Sequence, residues 1–178
     1  MKKSRLLWLL ALGALFLSPG RVTAGNGEKI EYFLLENRIL NTDGDVVETS
    51  TSVAKEVTPS DETSLIYTEQ TVGPKGMFPN LVWVFPFDGK NIVKITDLDG
   101  KLITTGKFTS RHNFWGWRFK FPKGPIARVS GHDLVFDKSL SSYYAKVVMR
   151  DGRKLTKQGR VIKISESTYR TLLMANRK

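Results

Sequence analysis

Phe114-Trp115-Gly116-Trp117-Arg118-Phe119-Lys120-Phe121 is the stretch that decides the fold of this chain. Trp115, Trp117, Phe119 and Phe121 fall at every second position, with Gly116, Arg118 and Lys120 between them. Successive side chains of a strand point to opposite faces, so this period puts four aromatics on one face and two cations on the other. The same alternation recurs on either side. Trp83, Phe85 and Phe87 share a face opposite Val82, Val84 and Pro86, and Tyr143, Ala145, Val147 and Met149 share one opposite Tyr144, Lys146, Val148 and Arg150.

Between such runs stand Asp43-Gly44, Asp88-Gly89, Asp99-Gly100 and Asp151-Gly152, dipeptides that supply the positive φ angles of tight hairpins. The alternation and the turns together predict strands near 28–40, 45–58, 63–72, 81–87, 90–98, 101–108, 114–121, 126–137, 141–150 and 153–164. Residues 28–40 carry apolar side chains on both strand faces and are the most helix-like of the ten. Pro86 cannot donate to a ladder, which marks a strand end, an edge or a bulge there. Gly73 to Pro79 has turn formers and no period, and is the candidate lid over one end of the structure. A helix is expected at about 166–176, with Ser165 as its N-cap, Glu166 in its first turn, and Tyr169, Leu172 and Leu173 on one face. The expected fold class is all-β, an antiparallel meander of about 8–10 strands forming a barrel, with one C-terminal helix.

The 178 residues suffice for one sizeable core, with 40% hydrophobic and 25% charged residues. The N-terminus reads as a secretory signal: Lys2, Lys3 and Arg5 precede the apolar run Leu6 to Leu17, and Val22 and Ala24 place small residues before a cut after Ala24. That run is shorter than the ~20 residues of a membrane-spanning helix. The expected arrangement is a signal peptide over 1–24 and one barrel domain over 25–178. The mature chain is then periplasmic or secreted and has no transmembrane segment. With no cysteine, the chain has no disulfide, thiolate metal site or cysteine nucleophile. Its formal charge of +11 is unevenly spread: residues 25–89 hold 4 basic and 11 acidic groups, and residues 90–178 hold 20 basic and 6 acidic. A basic C-terminal half of this kind is either a solvated strand surface or a face that attracts anionic lipid or polysaccharide of the cell envelope.

No catalytic set converges in the sequence. His112 and His132, the two histidines, lack the spacing of a metal site, so no metal and no cofactor is expected. Ser130-Gly131-His132-Asp133 alternates faces on a strand and cannot assemble a triad. Asp97, Asp133 and Asp137 read as turn or surface carboxylates rather than a hydrolytic pair. No glycine-rich loop precedes a helix. Nucleic acid is not an expected partner, because a base-stacking platform needs aromatics and cations on one face, and Arg118 and Lys120 lie opposite the aromatics.

An exported antiparallel meander with Asp-Gly hairpins and a helix after the last strand resembles the lipocalin-like, or calycin, barrels over roughly residues 28–176. It lacks their Gly-x-Trp motif, since Gly27-Glu28-Lys29 leads into Ile30-Glu31-Tyr32. The resemblance implies a small hydrophobic or amphipathic ligand inside the barrel. Trp83, Phe85, Trp115, Trp117, Phe119 and Tyr143 are the candidate wall. The same residues also suit a barrel filled by its own side chains, and the two alternatives look alike in sequence.

Overall fold

The structure, a computed structural model, describes residues 22–23, 27–73, 80–88, 90, 92–111, 114–121, 129–137 and 141–175. At 22–23, 108–111, 114, 115, 117 and 129–137 the description is of the backbone. In chain order the elements are β1 (Val22–Thr23), β2 (Lys29–Leu40), β3 (Val46–Thr58), β4 (Ser64–Val72), β5 (Leu81–Pro86) and β6 (Ile92–Thr96). They continue with β7 (Leu102–Arg111), β8 (Phe114–Lys120), β9 (Val129–Asp137), β10 (Ser142–Met149), β11 (Lys154–Ile164) and α1 (Glu166–Ala175).

Each strand from β3 to β11 pairs antiparallel with its neighbours in sequence, and β2 pairs with both β3 and β11. The β2–β11 ladder runs from Tyr32↔Ile164 to Leu40↔Thr156, and the β2–β3 ladder from Lys29↔Thr58 to Leu40↔Val46. The sheet therefore curls until its ladder order returns to its start, and β2 to β11 each have a partner on both edges. Such curling removes the unpaired edges that make open sheets stick to one another. β1 lies within the segment expected to be cleaved, and its ladder to β2 is two residues long.

The hairpin turns are built differently from the tight two-residue form that the Asp-Gly pairs suggest. In the β6–β7 turn Asp97 N donates to Lys101 O (3.0 Å) and Gly100 N to Asp97 O (3.2 Å), and φ is positive at Gly100 and not at Asp99. The turns at Asn41–Asp45 and Met149–Arg153 repeat these bonds. This is a three-residue loop, a type I turn closed by a left-handed glycine. The aspartate before the glycine stays in ordinary backbone space, and the residue that holds the turn is the one opening it. Asp97 Oδ1 accepts from the amides of Asp99 and Lys101, as Asn41 Oδ1 does from Asp43 and Asp45. The fourth pair, Asp88-Gly89, has its glycine outside the described residues.

Burial alternates as the sequence predicts along Ser142–Met149 and along Ile92–Ile95, and less regularly elsewhere among the described residues. Among the described side chains, a common interior contains Leu35, Ile39, Ala54, Leu81, Trp83, Val93, Ile95, Phe119, Tyr143, Ala145 and Val147. Two glycines let bulky rings lie across the neighbouring strand, a device that saves space on a curved sheet. Phe119 covers its register partner Gly106, and Tyr143 covers Gly159.

β2 explains its own helix-like look. Its inner row, Phe33, Leu35 and Ile39, faces the barrel interior, and its outer row, Ile30, Tyr32 and Leu34, lies beneath α1. Helix α1 packs on the outside over β2, β3 and β4, where Tyr169 meets Tyr32 with ring centroids 4.9 Å apart, alongside Val53 and Val72. Ser165 caps the helix, its Oγ accepting from Thr168 N at 3.2 Å, and Arg170 reaches back to Glu166 at 2.6 Å. Among the described residues no helix is long and apolar enough to cross a membrane.

Candidate ligand cavity

The β2–β3, β4–β5, β6–β7, β8–β9 and β10–β11 connections lie at one end of the barrel, and α1 departs from the other. At the first end a half-open cavity of about 960 Å³ lies between the β2–β3 and β10–β11 turns. Met149 and Leu155, both buried on the inner face, form its apolar floor, and Val47, Glu48, Arg150 and Arg153 stand among its walls. Arg153 holds the Asp151 carboxyl below its usual range through hydrogen bonds from its backbone N–H and its guanidinium. Arg150 donates to Phe121 O at 3.2 Å, tying β10 to the end of β8. Gly73, where the candidate lid begins, leaves from this same end; residues 74–79 lie outside the described residues.

The candidate wall residues whose side chains are described gather on the inner face. Phe119 is 1% exposed, and Trp83 meets it edge-on with ring centroids 5.3 Å apart. Phe121 stacks on Phe119 at 6.3 Å, Tyr143 is buried in the same cluster, and Phe85 packs against it partly buried. Trp115 and Trp117 lie in β8, where Trp115 pairs with Ser110 and Phe136, and Trp117 with Phe108 and Leu134; their side chains lie outside the described residues. The same holds for His132, Asp133 and Asp137 in β9, while His112 falls outside the described residues altogether. Asp97 is committed to its turn.

Sequence reasoning missed the polar part of the interior. Directly paired residues share a face, which puts Asn37, Ser52, Glu56 and Lys157 on the inner rows, and all four are buried. Glu69 shares the Ala54 row and Glu48 the Ile39 row. Lys157 is 7% exposed; its ammonium lies 5.4 Å from the Tyr143 ring centroid and hydrogen-bonds the Tyr143 hydroxyl. Burial pulls the Lys157 value down, but Tyr143 and Glu69 outweigh it, and the net shift is upward. Burial also pushes up the Tyr143 hydroxyl, with Lys157 opposing. Tyr67 goes well above its usual range through burial, Glu69, Tyr143 and Glu56.

Tyr143 Oη in turn donates to Asn37 Oδ1. Toward the helix end, Lys163 Nζ meets the buried Glu31 carboxylate at 2.8 Å. Buried polar atoms are nearly always hydrogen-bonded. Among the described residues, Asn37 Nδ2, Thr58 Oγ1 and Trp83 Nε1 are buried without a protein partner. Among the same residues no group of three or more metal-ligating side chains converges.

Neither protein-family models nor curated proteins give a match to this chain.

Proposed function

We propose that this protein is an exported, non-catalytic binding protein that holds one hydrophobic or amphipathic small molecule in its barrel, as its lipocalin-like layout implies. The cavity of about 960 Å³ carries this reading. It lies at the upper end of the volumes that enclose small ligands, and its apolar floor, Met149 and Leu155, belongs to the inner row of the barrel. A ten-strand ring is also wider than the eight-strand barrels that already hold one small molecule. Trp83, Phe85, Phe119 and Tyr143 supply the wall, and alternation along β8 assigns Trp115 and Trp117 to it.

The expected affinity follows from area. Twelve buried methylenes contribute about 10 kcal/mol gross at ~0.8 kcal/mol each, and association costs at least ~4 kcal/mol. The balance of about 6 kcal/mol corresponds to a dissociation constant of tens of micromolar. Titrating the mature protein with twelve- to sixteen-carbon amphiphiles should therefore change its tryptophan emission saturably in that range. A flat emission across the whole panel would defeat the proposal.

A second reading, a non-catalytic envelope protein holding anionic lipid or polysaccharide, is favoured by one outer row. Exposed Lys107 and Arg118 stand as register partners on β7 and β8, and exposed Lys146 lies on β10. An exposed basic face of this kind attracts an anionic surface. Its mark is binding to anionic vesicles that collapses as salt rises, with no response to uncharged amphiphiles.

A further inference from the structure

We propose that the barrel selects ligands carrying an uncharged acceptor oxygen, a carbonyl or an ester, which Asn37 Nδ2 binds deep in the interior. The inference rests on the barrel-ligand reading above and adds the chemistry of the bound group. It starts from the direction of a hydrogen-bond chain. An ammonium can only donate, so Lys157 Nζ donates a hydrogen bond to Tyr143 Oη, and the hydroxyl proton is then directed to Asn37 Oδ1. That fixes the Asn37 amide: its oxygen faces Tyr143, and its nitrogen, with two N–H groups, faces away. Asn37 is 3% exposed and no described group accepts from this nitrogen. Trp83 Nε1 is a second buried donor with no acceptor among the described residues, three strands away around the wall. A ligand that satisfies these groups must bring acceptors.

Position and charge narrow the class further. Asn37 pairs with Gly159, four residues along β11 from the cavity-floor residue Leu155, roughly 13 Å deeper at about 3.3 Å per residue. A ligand group bound by Asn37 therefore lies beyond the Leu155 floor of the cavity, among the buried side chains of the inner rows. Among the described inner-row residues, Glu31, Glu48, Glu56 and Glu69 stand against Lys29, Lys157 and Lys163, an excess of one carboxylate. A carboxylate ligand would add to that excess and lose its hydration on burial, and an amine would bring donors to donors. An uncharged acceptor has neither fault.

The test compares methyl undecyl ketone, tridecane, dodecanoate and dodecylamine by tryptophan emission, in the wild-type mature protein and in Asn37→Asp. That variant keeps an oxygen for Tyr143 and removes the N–H groups. The ketone should bind about tenfold tighter than tridecane, the worth of one net hydrogen bond, and tighter than either charged probe. In Asn37→Asp that preference should fall below about twofold while tridecane is unchanged. Equal binding of ketone and tridecane by the wild type would mean that water satisfies Asn37, and would overturn the inference while leaving a barrel ligand in place. Preference for dodecanoate or dodecylamine would overturn it too. If no probe binds, both readings fall together. Should Asn37→Asp not fold, the wild-type ranking of ketone over tridecane decides alone.

Discussion

Replacing Gly159 by alanine probes the interior where the polar chain and the packing meet. A Cβ at this position would lie 2.1 Å from Tyr143 Cε1 and 2.2 Å from Cζ, well inside contact distance. The Tyr143 ring would have to move, and because Tyr143 is held by Asn37 and Lys157, movement breaks the chain as well. Overpacking of this kind costs ~1–3 kcal/mol, and leaving buried hydrogen-bonding groups without partners adds about 1–3 kcal/mol. The loss of roughly 2–6 kcal/mol should lower the midpoint of thermal unfolding by about 4–24 °C for a chain of this size. The same substitution made together with Tyr143→Ala meets no ring. There it should be neutral, or stabilising by about 0.5–1 kcal/mol, since glycine within a strand is itself unfavourable. Urea unfolding of the four proteins of this cycle, followed by tryptophan emission, measures the coupling. Additivity within about 0.5 kcal/mol would refute the packing of Tyr143 over Gly159.

Three further outcomes are expected. Phe119→Ala empties the largest fully buried position among the described residues and should cost about 3–5 kcal/mol in the same urea assay; a loss under ~1 kcal/mol would place Phe119 elsewhere. Gly100→Ala forces a side chain onto φ +83° and should cost about 1–2 kcal/mol, with Gly100→Asn recovering part of it because asparagine tolerates this conformation; equal stability of the alanine variant and wild type would argue against the turn. Stability should also fall at alkaline pH. Tyr67 and Tyr143 are raised above 10.0 and Lys157 above 10.5 in the fold, so the native state keeps protons that the unfolded chain releases. Their contribution is whole below about pH 10 and is lost as pH rises through the folded values, at up to about 1.4 kcal/mol per group per pH unit. A circular-dichroism titration showing stability constant or rising above pH 10 would contradict this.

The strand pattern was legible because residue type and position agreed. Val, Tyr and Phe alternated with Lys and Arg along β8 and β10, and the observed bounds lie within a few residues of those expected, as for β2 at Lys29–Leu40 against 28–40. The C-terminal helix was equally plain, since Ser165, Glu166 and the Tyr169–Leu172–Leu173 face all agreed. The Asp-Gly pairs located the hairpins but misdirected their geometry. The turn depends on Asn41 and Asp97 three residues before the glycine, whose role shows in hydrogen bonds to amides beyond them.

Asn37, Glu56 and Lys157 escaped notice because such residues are ordinarily exposed. Their positions nevertheless carried a clue. Asn37 stands two residues from Leu35 and from Ile39, and Lys157 two from Leu155, so period two already set them on the apolar row. What the sequence could not supply was the long-range register that brings Lys157, Tyr143 and Asn37 into one chain across three strands. The aromatic wall was legible as a face, whereas the cavity beside the β2–β3 and β10–β11 turns depends on how two distant hairpins stand apart.

The most direct measurement of the central claim is organic extraction of protein purified from its native host without detergent, followed by mass spectrometry of the extract. The account predicts about one molecule per chain of an uncharged, oxygen-bearing amphiphile. An extract that matches a buffer blank would contradict it.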